Sequence, residues 1–446
     1  MTRETTPTAL PAERAILVGV QLAKNATGAW DVTDSLAELA ELARTAGLAV
    51  VGTATQRLNV PRATHFIGKG KMQEIKALHG TVPYDVVIFD DELSPSQQRN
   101  LERDLDTKIL DRTGLILDIF AQRARTREGQ LQVELAQYEY RLPRLTRAWV
   151  HLSRQAGGAG ARGGVGVGLR GPGETQLEVD RRRIRARIQH LKRELEEVRT
   201  HRRLHRQHRQ REGVPVVAIV GYTNAGKSTL LNALTNANVL AEDKLFVTLD
   251  PTTRRVTLTG GQELLLSDTV GFIQKLPTEL VAAFRATLEE VTEADAILHI
   301  VDVTHPQAVA QSQTVGQVLR DLGVVDVPMV TALNKIDLLV TEDIEEAEAL
   351  EQVTALRQKL QGHSRTTMPI SALRGWGLTQ LLETIGDVLL TDMVRMDVVV
   401  PFQRGDLVAL FHQRGVIDHE EYTAHGTRLL GHLPRQCAPR YRALLK

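Results

Sequence analysis

The residues best suited to chemistry lie in the middle of the chain, in the run Gly221-Tyr-Thr-Asn-Ala-Gly-Lys-Ser228. The apolar segment 214–220 before it is typical of a buried strand, and the segment 228–234 after it has the pattern of a helix. This order of elements is the setting of a phosphate-binding loop. Gly221 and Gly226 let the backbone curl so that its N–H groups face an anion at a helix N-terminus. The sequence therefore predicts a nucleoside triphosphate site.

An acidic strand end and a threonine-rich segment are expected to complete a Mg²⁺ site beside this loop. Lys227 is expected to reach the β- and γ-phosphates, and the Ser228 hydroxyl to bind the metal. Asp268, at the end of a predicted strand, is expected to hold Mg²⁺ through water, while the N–H of Gly271 meets a γ-phosphate. Loss of that phosphate would release the loop, which is the basis of a switch. Three threonines compete for the remaining metal position, and spacing alone does not choose between them: Thr248, Thr252 and Thr253.

The identity of the base follows from the run Asn334-Lys-Ile-Asp337 at the end of another apolar strand. An aspartate at position 337 accepts both N1–H and N2–H of guanine, whereas adenine has no such pair of donors. Asn334 is expected to brace the neighbouring loops, and the stem of Lys335 to cover the ring. The backbone of 371–373, after a further strand, is expected to donate to guanine O6. These motifs, in this order and each at a strand end, predict a GTP-binding domain.

Together the motifs define the residues expected to contact the nucleotide. In chain order they are Gly221, Tyr222, Thr223, Asn224, Ala225, Gly226, Lys227, Ser228, Phe246, Val247, Thr248, Leu249, Asp250, Asp268, Thr269, Val270, Gly271, Asn334, Lys335, Ile336, Asp337, Ser371, Ala372 and Leu373.

The group that drives hydrolysis is not identified by the sequence. Phe272 stands where Ras-type switches carry the glutamine that orients the attacking water. Conversion of GTP to GDP and phosphate is therefore expected to be slow, with help from the backbone, a bound ion or a partner. Asn224 resembles the asparagine with which some translation-related GTPases hold K⁺ beside the phosphates. K⁺ is thus a candidate activator in addition to Mg²⁺.

Length and composition indicate an ordinary globular protein. The chain has 446 residues, of which 42% are apolar and 24% charged, enough for two to four domains. Its single cysteine, Cys437, cannot form an internal disulfide, which suits the cytosol. No apolar run reaches the length of a membrane-spanning helix, and the N-terminus lacks the apolar core of a signal peptide. We expect a cytoplasmic monomer without stable membrane insertion, leaving peripheral membrane association open.

The charge is unevenly distributed along the chain. Residues 141–212 contain 19 Lys and Arg against 7 Asp and Glu, a net charge of +12, so the remainder carries −11 in a chain whose total is +1. Such a stretch is usually a solvated face or a surface for a polyanion. The bias toward arginine favours nucleic acid, because guanidinium groups pair with phosphates and stack on bases.

Two apolar seams at heptad spacing flank a glycine-rich segment within this basic stretch. The first seam comprises Leu131, Leu135, Tyr138, Leu142, Leu145, Trp149 and Leu152, and the second Ile184, Ile188, Leu191, Leu195 and Val198. Two antiparallel helices with a long loop at residues 157–173 are the simplest structure. Pro143 is expected to kink or interrupt the first helix. Because a plain linker needs no apolar seams beside it, we interpret the loop as a recognition element.

The fold class expected is α/β, with a phosphate-loop GTPase domain and an N-terminal α/β domain built on a mainly parallel sheet. An antiparallel helical hairpin and a small C-terminal α+β domain complete it. The boundaries expected are 1–125, 126–212, 213–390 and 391–446 in that order. No catalytic constellation is evident in the first domain. Its run 68–71 could hold a phosphate of a nucleotide or of RNA, but a tight loop with exposed lysines is the favoured interpretation. Its acidic run 90–92 could hold a metal, but a solvated loop is favoured.

Several segments together resemble the HflX GTPases. They are 170–178, 180–182, 221–229, 246–250, 268–272 and 334–337. The resemblance implies a cytoplasmic bacterial GTPase that binds the large (50S) ribosomal subunit and splits stalled 70S ribosomes under stress. It also implies that Thr248 is the Mg²⁺ threonine, alongside Ser228. The loop of the hairpin 126–212 would enter ribosomal RNA near the peptidyl-transferase centre, although here it is longer by residues 163–170.

Two other functions compete with a ribosomal role. One is a regulatory GTPase acting at a protein or membrane surface, with the basic hairpin on anionic lipid. The hairpin argues against it, because seams that pack on each other leave no broad apolar face for a bilayer. The other is an enzyme that modifies or remodels RNA, with a second active site in the N-terminal domain.

Overall fold

The computed structural model describes most of the chain. The described residues are 12–22, 31–145, 172–211, 214–235, 245–246, 252–258, 263–275, 290–324, 327–339, 366–391, 393–434 and 437–444. The chain forms two compact units, one of Met1–Leu195 with Lys275–Ala283 and the other of Glu196–Gln274 with Phe284–Lys446. The finer division into four domains remains a prediction.

The first unit is built on a parallel four-stranded sheet in the order β2-β1-β3-β4. Its strands and helices are β1 (Arg14–Leu22), α1 (Val32–Thr45), β2 (Ala49–Leu58), α2 (Lys69–Thr81), β3 (Val86–Phe89), α3 (Pro95–Leu105), β4 (Lys108–Asp111) and α4 (Arg112–Arg123). All four residues of β3 are buried, as expected for an inner strand covered on both faces. The predicted parallel α/β unit is confirmed.

Two further helices, α5 (Arg127–Arg144) and α6 (Pro172–Arg211), hold the predicted apolar seams. Leu131 and Leu135 of α5 and Ile188 and Leu191 of α6 are buried. Ion pairs join the helices, and they are Arg127–Glu194, Arg187–Glu134 and Lys192–Glu139. In the first two pairs, later residues of α5 meet earlier residues of α6, so the helices run antiparallel. Helix α5 ends one residue after Pro143, close to where the proline was expected to interrupt it. Trp149, Leu152 and the glycine-rich loop lie outside the described residues.

A fully buried carboxylate, Asp111, ties α5 to the sheet of the first unit. One of its oxygens accepts the N–H of Gly114 at 2.8 Å and the hydroxyl of Tyr140 at 2.7 Å. The other accepts the N–H of Leu93 at 3.1 Å and a guanidinium N–H of Arg144 at 2.9 Å. The same side chain thus caps α4 and holds α5 through a tyrosine and an arginine. Burial raises the pKa of Tyr140, so its hydroxyl stays a donor to Asp111.

The acidic run after β3 corrects an expectation from the sequence. Asp90 is 1% exposed, so the interpretation of this run as a solvated loop is wrong for its first residue. Asp90 accepts hydrogen bonds from Ser35 at 2.7 Å and Arg112 at 2.5 Å, and Lys275 also contacts it. Burial alone would raise the pKa of Asp90, but Arg112 and Lys275 lower it overall. A partner 22 residues away in sequence, Arg112, is what makes burial of this carboxylate tolerable.

The second unit holds a six-stranded sheet in the order β10-β9-β8-β5-β7-β6. Its strands are β5 (Val216–Gly221), β6 (Thr252–Thr257), β7 (Glu263–Asp268), β8 (Ala296–Asp302), β9 (Met329–Asn334) and β10 (Thr366–Pro369). All neighbours are parallel except β6 and β7. Helices α7 (Lys227–Thr235), α8 (Ala308–Asp321) and α9 (Leu378–Thr391) connect strands of this unit. In parallel α/β sheets, ligands bind at the carboxyl ends of the strands, which is where the predicted motifs lie.

A three-stranded antiparallel sheet follows in the second unit, in the order β11-β13-β12. It consists of β11 (Met393–Val400), β12 (Val416–Thr423) and β13 (Gly426–Pro434), with α10 (Gly405–Arg414) between the first two. Val398, Phe411, Leu429 and Tyr441 are buried together in its core. The predicted C-terminal α+β region is confirmed. Among the described residues, no helix combines the length and apolar character needed to cross a membrane.

Candidate nucleotide site

The phosphate loop joins the central strand β5 to helix α7, as predicted. Gly221 lies against the neighbouring strand so closely that a Cβ would stand 2.5 Å from the carbonyl oxygen of Ile300. Gly226 has a φ of +94°, and a Cβ there would stand 2.2 Å from Nδ2 of Asn334. Both glycines are therefore required by close packing, and the second also by backbone conformation.

Lys227 is buried at the base of this loop. Its ammonium group donates to the carbonyl oxygens of Tyr222 at 2.7 Å and Gly221 at 3.2 Å. Burial lowers its pKa to about 8, and the nearby Asp268 only partly opposes that shift. Nucleotide phosphates would supply the missing negative charge and raise this pKa. The hydroxyl of Thr223 is also buried and has no hydrogen-bond partner within the described part of the chain. A buried cation and an unsatisfied hydroxyl at one loop suit a phosphate ligand.

The donor set for Mg²⁺ is assembled at the start of α7. The hydroxyl of Ser228 lies 2.9 Å from a carboxylate oxygen of Asp268, which is fully buried at the end of β7. A hydroxyl and a carboxylate are the hard oxygen groups that Mg²⁺ selects, usually with waters and phosphate oxygens completing the shell. These residues therefore fit the metal. Thr248, Val247, Leu249 and Asp250 lie outside the described residues, and Phe246 is buried. The competing Thr252 and Thr253 belong to strand β6.

The segment that is expected to respond to a γ-phosphate begins at Asp268 and lies beside the phosphate loop. Thr269 donates to the carbonyl of Ile219 at 2.6 Å, which ties the start of the segment to β5. A Cβ on Gly271 would lie 2.9 Å from Nζ of Lys227, so this glycine lies close to the lysine that is expected to reach the phosphates. Val270 is buried beside it. The ring of Phe272 is 2% exposed, in the protein interior. A buried aromatic ring has no group with which to orient water, as the sequence indicated.

The base-recognition motif holds three loops together through Asn334. Its Nδ2 donates to the carbonyl of Ala225 at 2.9 Å, and its Oδ1 accepts the N–H of Ala372 at 2.9 Å. The predicted bracing role is visible in these two bonds. Asp337 accepts the Ser371 hydroxyl at 2.6 Å, which fixes the rotation of the carboxylate. Ile336 is buried and Leu373 is 75% exposed, so these two side chains face opposite environments.

Asp302 belongs to this site but was not predicted from the sequence. The ammonium of Lys335 lies 2.7 Å from a carboxylate oxygen of Asp302, at the end of β8. Asp302 also accepts the N–H and hydroxyl of Thr304. Lys335 has a φ of +69°, so its side chain leaves a tight left-handed turn. Asp302 could have been found from the sequence, because it ends the buried strand β8. Asn334 ends the neighbouring strand β9 in the same way.

The basic helix α6 separates its apolar and charged faces. Leu191 and Leu195 are buried, whereas Arg182, Arg183 and Arg185 are exposed. Since the apolar positions are already covered, the exposed arginines form the free surface of this part of the helix. The arrangement is suited to a polyanion, and the buried seam residues Leu191 and Leu195 are not available to a bilayer.

The chain is similar to several known GTPases. Four family models match: "GTP-binding GTPase N-terminal" at 33–121, "GTP-binding GTPase Middle Region" at 123–209, "50S ribosome-binding GTPase" at 216–335 and "Elongation factor Tu GTP binding domain" at 284–391. The GTPase HflX of Caldanaerobacter subterraneus is 47% identical over 93% of this chain and 89% of its own length. The GTPase HflX of Escherichia coli is 42% identical over 92% and 90%. A Sulfolobus solfataricus GTP-binding protein, solved with GDP, is 25% identical over 85% of this chain and 99% of that chain, with a TM-score of 0.41.

The sheet, the phosphate loop and the matched families define a phosphate-loop GTPase, an enzyme that binds and hydrolyses GTP with Mg²⁺. At these identities and coverages, the chain belongs to the HflX family of GTPases.

Proposed function

We propose that this GTPase binds the 50S ribosomal subunit through its basic hairpin and splits stalled or stressed 70S ribosomes in the cytoplasm. The observation that carries the proposal is the exposed row Arg182, Arg183 and Arg185 on a helix whose apolar seam is already buried. Ribosomal RNA offers phosphates and unstacked bases, both of which arginine recognises. The match of 216–335 to ribosome-binding GTPases supports the same partner.

In this proposal GTP binds at the carboxyl ends of β5, β7, β9 and β10. The phosphate loop 221–228 and Gly271 hold the phosphates, and Asp337 reads guanine. Ser228 and Thr248 would hold Mg²⁺, which would supply positive charge beside the phosphates. GTP orders both switch segments and favours the RNA-bound state, and hydrolysis releases it. Because Phe272 supplies no water-orienting group, the ribosome stimulates a slow intrinsic reaction.

We further propose that K⁺ beside the phosphates accelerates hydrolysis, with Asn224 as its ligand. Asn224 has a φ of +61°, so the phosphate loop turns sharply at this residue. Replacing Na⁺ by K⁺ at constant ionic strength should raise kcat by about tenfold or more, since stabilisation of developing phosphate charge by one fixed group has effects of this order. The steady-state rate of phosphate release measures this increase in kcat. The Asn224→Ala variant should lose the difference between the cations, and equal turnover of the wild type in both salts contradicts the role of K⁺.

The ribosomal proposal is tested by co-sedimentation with separated ribosomal subunits. Binding to the large subunit should be strongest with a non-hydrolysable GTP analogue and weaker with GDP or no nucleotide. If six or more phosphates are contacted, affinity should fall roughly 10³-fold between 50 and 200 mM salt. Replacing Arg182, Arg183 and Arg185 together by Gln should weaken binding and reduce the salt dependence. Equal binding in all three nucleotide states contradicts the switch.

Matched variants separate local contacts from net charge. Replacing the scattered exposed residues Arg44, Arg103 and Arg254 by Gln removes the same charge and should leave ribosome binding nearly unchanged. Deleting 157–170 should spare GTP binding but impair splitting of 70S ribosomes. Unchanged splitting by that variant contradicts a role for the loop. Binding to anionic liposomes without binding to ribosomes would favour the alternative, a regulatory GTPase at a membrane surface.

A further inference from the structure

The backbone that follows Gly271 is paired with the phosphate loop itself. The N–H of Phe272 donates to the carbonyl of Gly221 at 3.0 Å, and the N–H of Thr223 donates to the carbonyl of Phe272 at 2.8 Å. These bonds form an isolated parallel bridge between Tyr222 and Phe272. The segment that responds to the γ-phosphate is therefore fastened to the loop that binds it.

The pairing places Gly271 between two points at which the backbone is held. Ile219 is opposite Asp268 in the register of β5 and β7, and Tyr222 is opposite Phe272. Two residues lie between Ile219 and Tyr222, whereas three lie between Asp268 and Phe272. The segment 269–271 therefore does not continue the regular pairing of β5 with β7 up to the bridge at Phe272. Gly271 lies immediately before the downstream fixed point, so its position depends on how firmly that point is held.

The side chain of Tyr222 also holds the backbone that follows Phe272. The hydroxyl oxygen of Tyr222 accepts the N–H of Gln274 at 2.8 Å, and the tyrosine is 4% exposed. We propose that Tyr222 is a positioning residue for GTP hydrolysis, whose hydroxyl anchors the segment after Gly271 and so keeps the Gly271 N–H directed at the γ-phosphate.

The position of this backbone matters more here than in switches with a glutamine. The ring of Phe272 is buried and contributes no polar group, so fixed backbone donors carry more of the stabilisation of the transferred phosphoryl group. A displacement of about 1 Å at a reacting group can cost roughly 10²-fold in rate. Between the described residues, the Tyr222 bond acts together with the two backbone bonds of Phe272 to hold the segment on the loop. Removal of the Tyr222 bond is therefore expected to cause a part of that loss of rate.

The test is the Tyr222→Phe variant of the full chain, which keeps the ring and removes the acceptor. We expect kcat for GTP to fall about tenfold with a small change in KM. Affinity for GDP should be unchanged, because GDP lacks the γ-phosphate that Gly271 meets. A kcat equal to that of the wild type overturns the proposal. Equal losses of kcat and GDP affinity also overturn it, since they indicate distortion of the phosphate loop.

A matched control is available at Tyr441, whose hydroxyl donates to the carbonyl of Leu407 at 2.6 Å in the C-terminal sheet region. Tyr441→Phe also removes one buried tyrosine hydroxyl bond, in which the hydroxyl donates rather than accepts, and should retain the wild-type kcat. Hydrogen exchange tests the anchor itself. The Gln274 amide should exchange slowly in the wild type and faster in Tyr222→Phe, with neighbouring β7 amides unchanged. Fast exchange in the wild type overturns the anchor even if the variant does not fold.

Discussion

The Asp337→Asn variant should lose affinity for GTP by about 10³- to 10⁴-fold and gain affinity for xanthosine triphosphate by a similar factor. Guanine presents N1–H and an exocyclic N2–H₂ as donors, which the carboxylate accepts. Xanthine carries an oxygen at position 2 instead. An asparagine at 337 offers one acceptor and one donor, and this pair matches xanthine and mismatches guanine.

The geometry around Asp337 favours the required orientation of the new amide. The Ser371 hydroxyl donates to Oδ1 of Asp337 at 2.6 Å, and Ser371 is fully buried. In Asp337→Asn the amide oxygen keeps that bond, so Nδ2 turns toward the base. Isothermal titration calorimetry with each nucleotide measures the loss of affinity for GTP and the gain of affinity for xanthosine triphosphate. Asp321→Asn, an exposed aspartate on α8, controls for the loss of one charge and should change neither affinity. Unaltered GTP binding by Asp337→Asn would contradict the assignment of Asp337 to the base.

The Asp111→Ala variant should destabilise the first unit by about 3–5 kcal/mol. The change removes four hydrogen bonds at once, to Leu93, Gly114, Tyr140 and Arg144. It also leaves the guanidinium of Arg144 largely buried without its carboxylate, which is more costly than losing a neutral pair. Loss of the cap on α4 contributes in the same direction.

Local stability is read by hydrogen exchange of the amides in β3 and β4, because the chain has two units and one melting temperature would not separate them. Amides of β8 and β9 in the second unit serve as the internal reference. Asp118→Ala, at an exposed position of the helix α4 that Asp111 caps, loses a side-chain bond from Gln122 and should change stability by less than about 0.5 kcal/mol. An Asp111 variant as stable as the Asp118 variant contradicts the role of this carboxylate.

Local patterns in the sequence were sufficient for much of the architecture. The apolar run 214–220 located β5, and heptad spacing located the buried seam of α6. The motif around Asn334 predicted a bracing residue, and its bonds to Ala225 and Ala372 are present. These features depend on spacing within one segment, or on strand ends that a parallel sheet brings together.

What the sequence did not show are pairings between distant segments. Asp111 binds Tyr140 and Arg144, which lie 29 and 33 residues further along the chain. Asp90 looked like part of a solvated acidic loop because its partner Arg112 belongs to another element. The bond from Gln274 to Tyr222 spans 52 residues. No periodicity marks such pairs, since they depend on which strand ends and loops the folded sheet places side by side.

The most direct test of the central proposal links the guanine site to the ribosome. Purified 70S ribosomes are incubated with the wild type or Asp337→Asn and with non-hydrolysable analogues of GTP or xanthosine triphosphate, and free subunits are measured by sucrose-gradient sedimentation. The wild type should release subunits only with the guanosine analogue, and the variant only with the xanthosine analogue. Splitting by the variant that is equal with either analogue, or absent with both although the xanthosine analogue binds, would contradict a nucleotide-operated splitting factor.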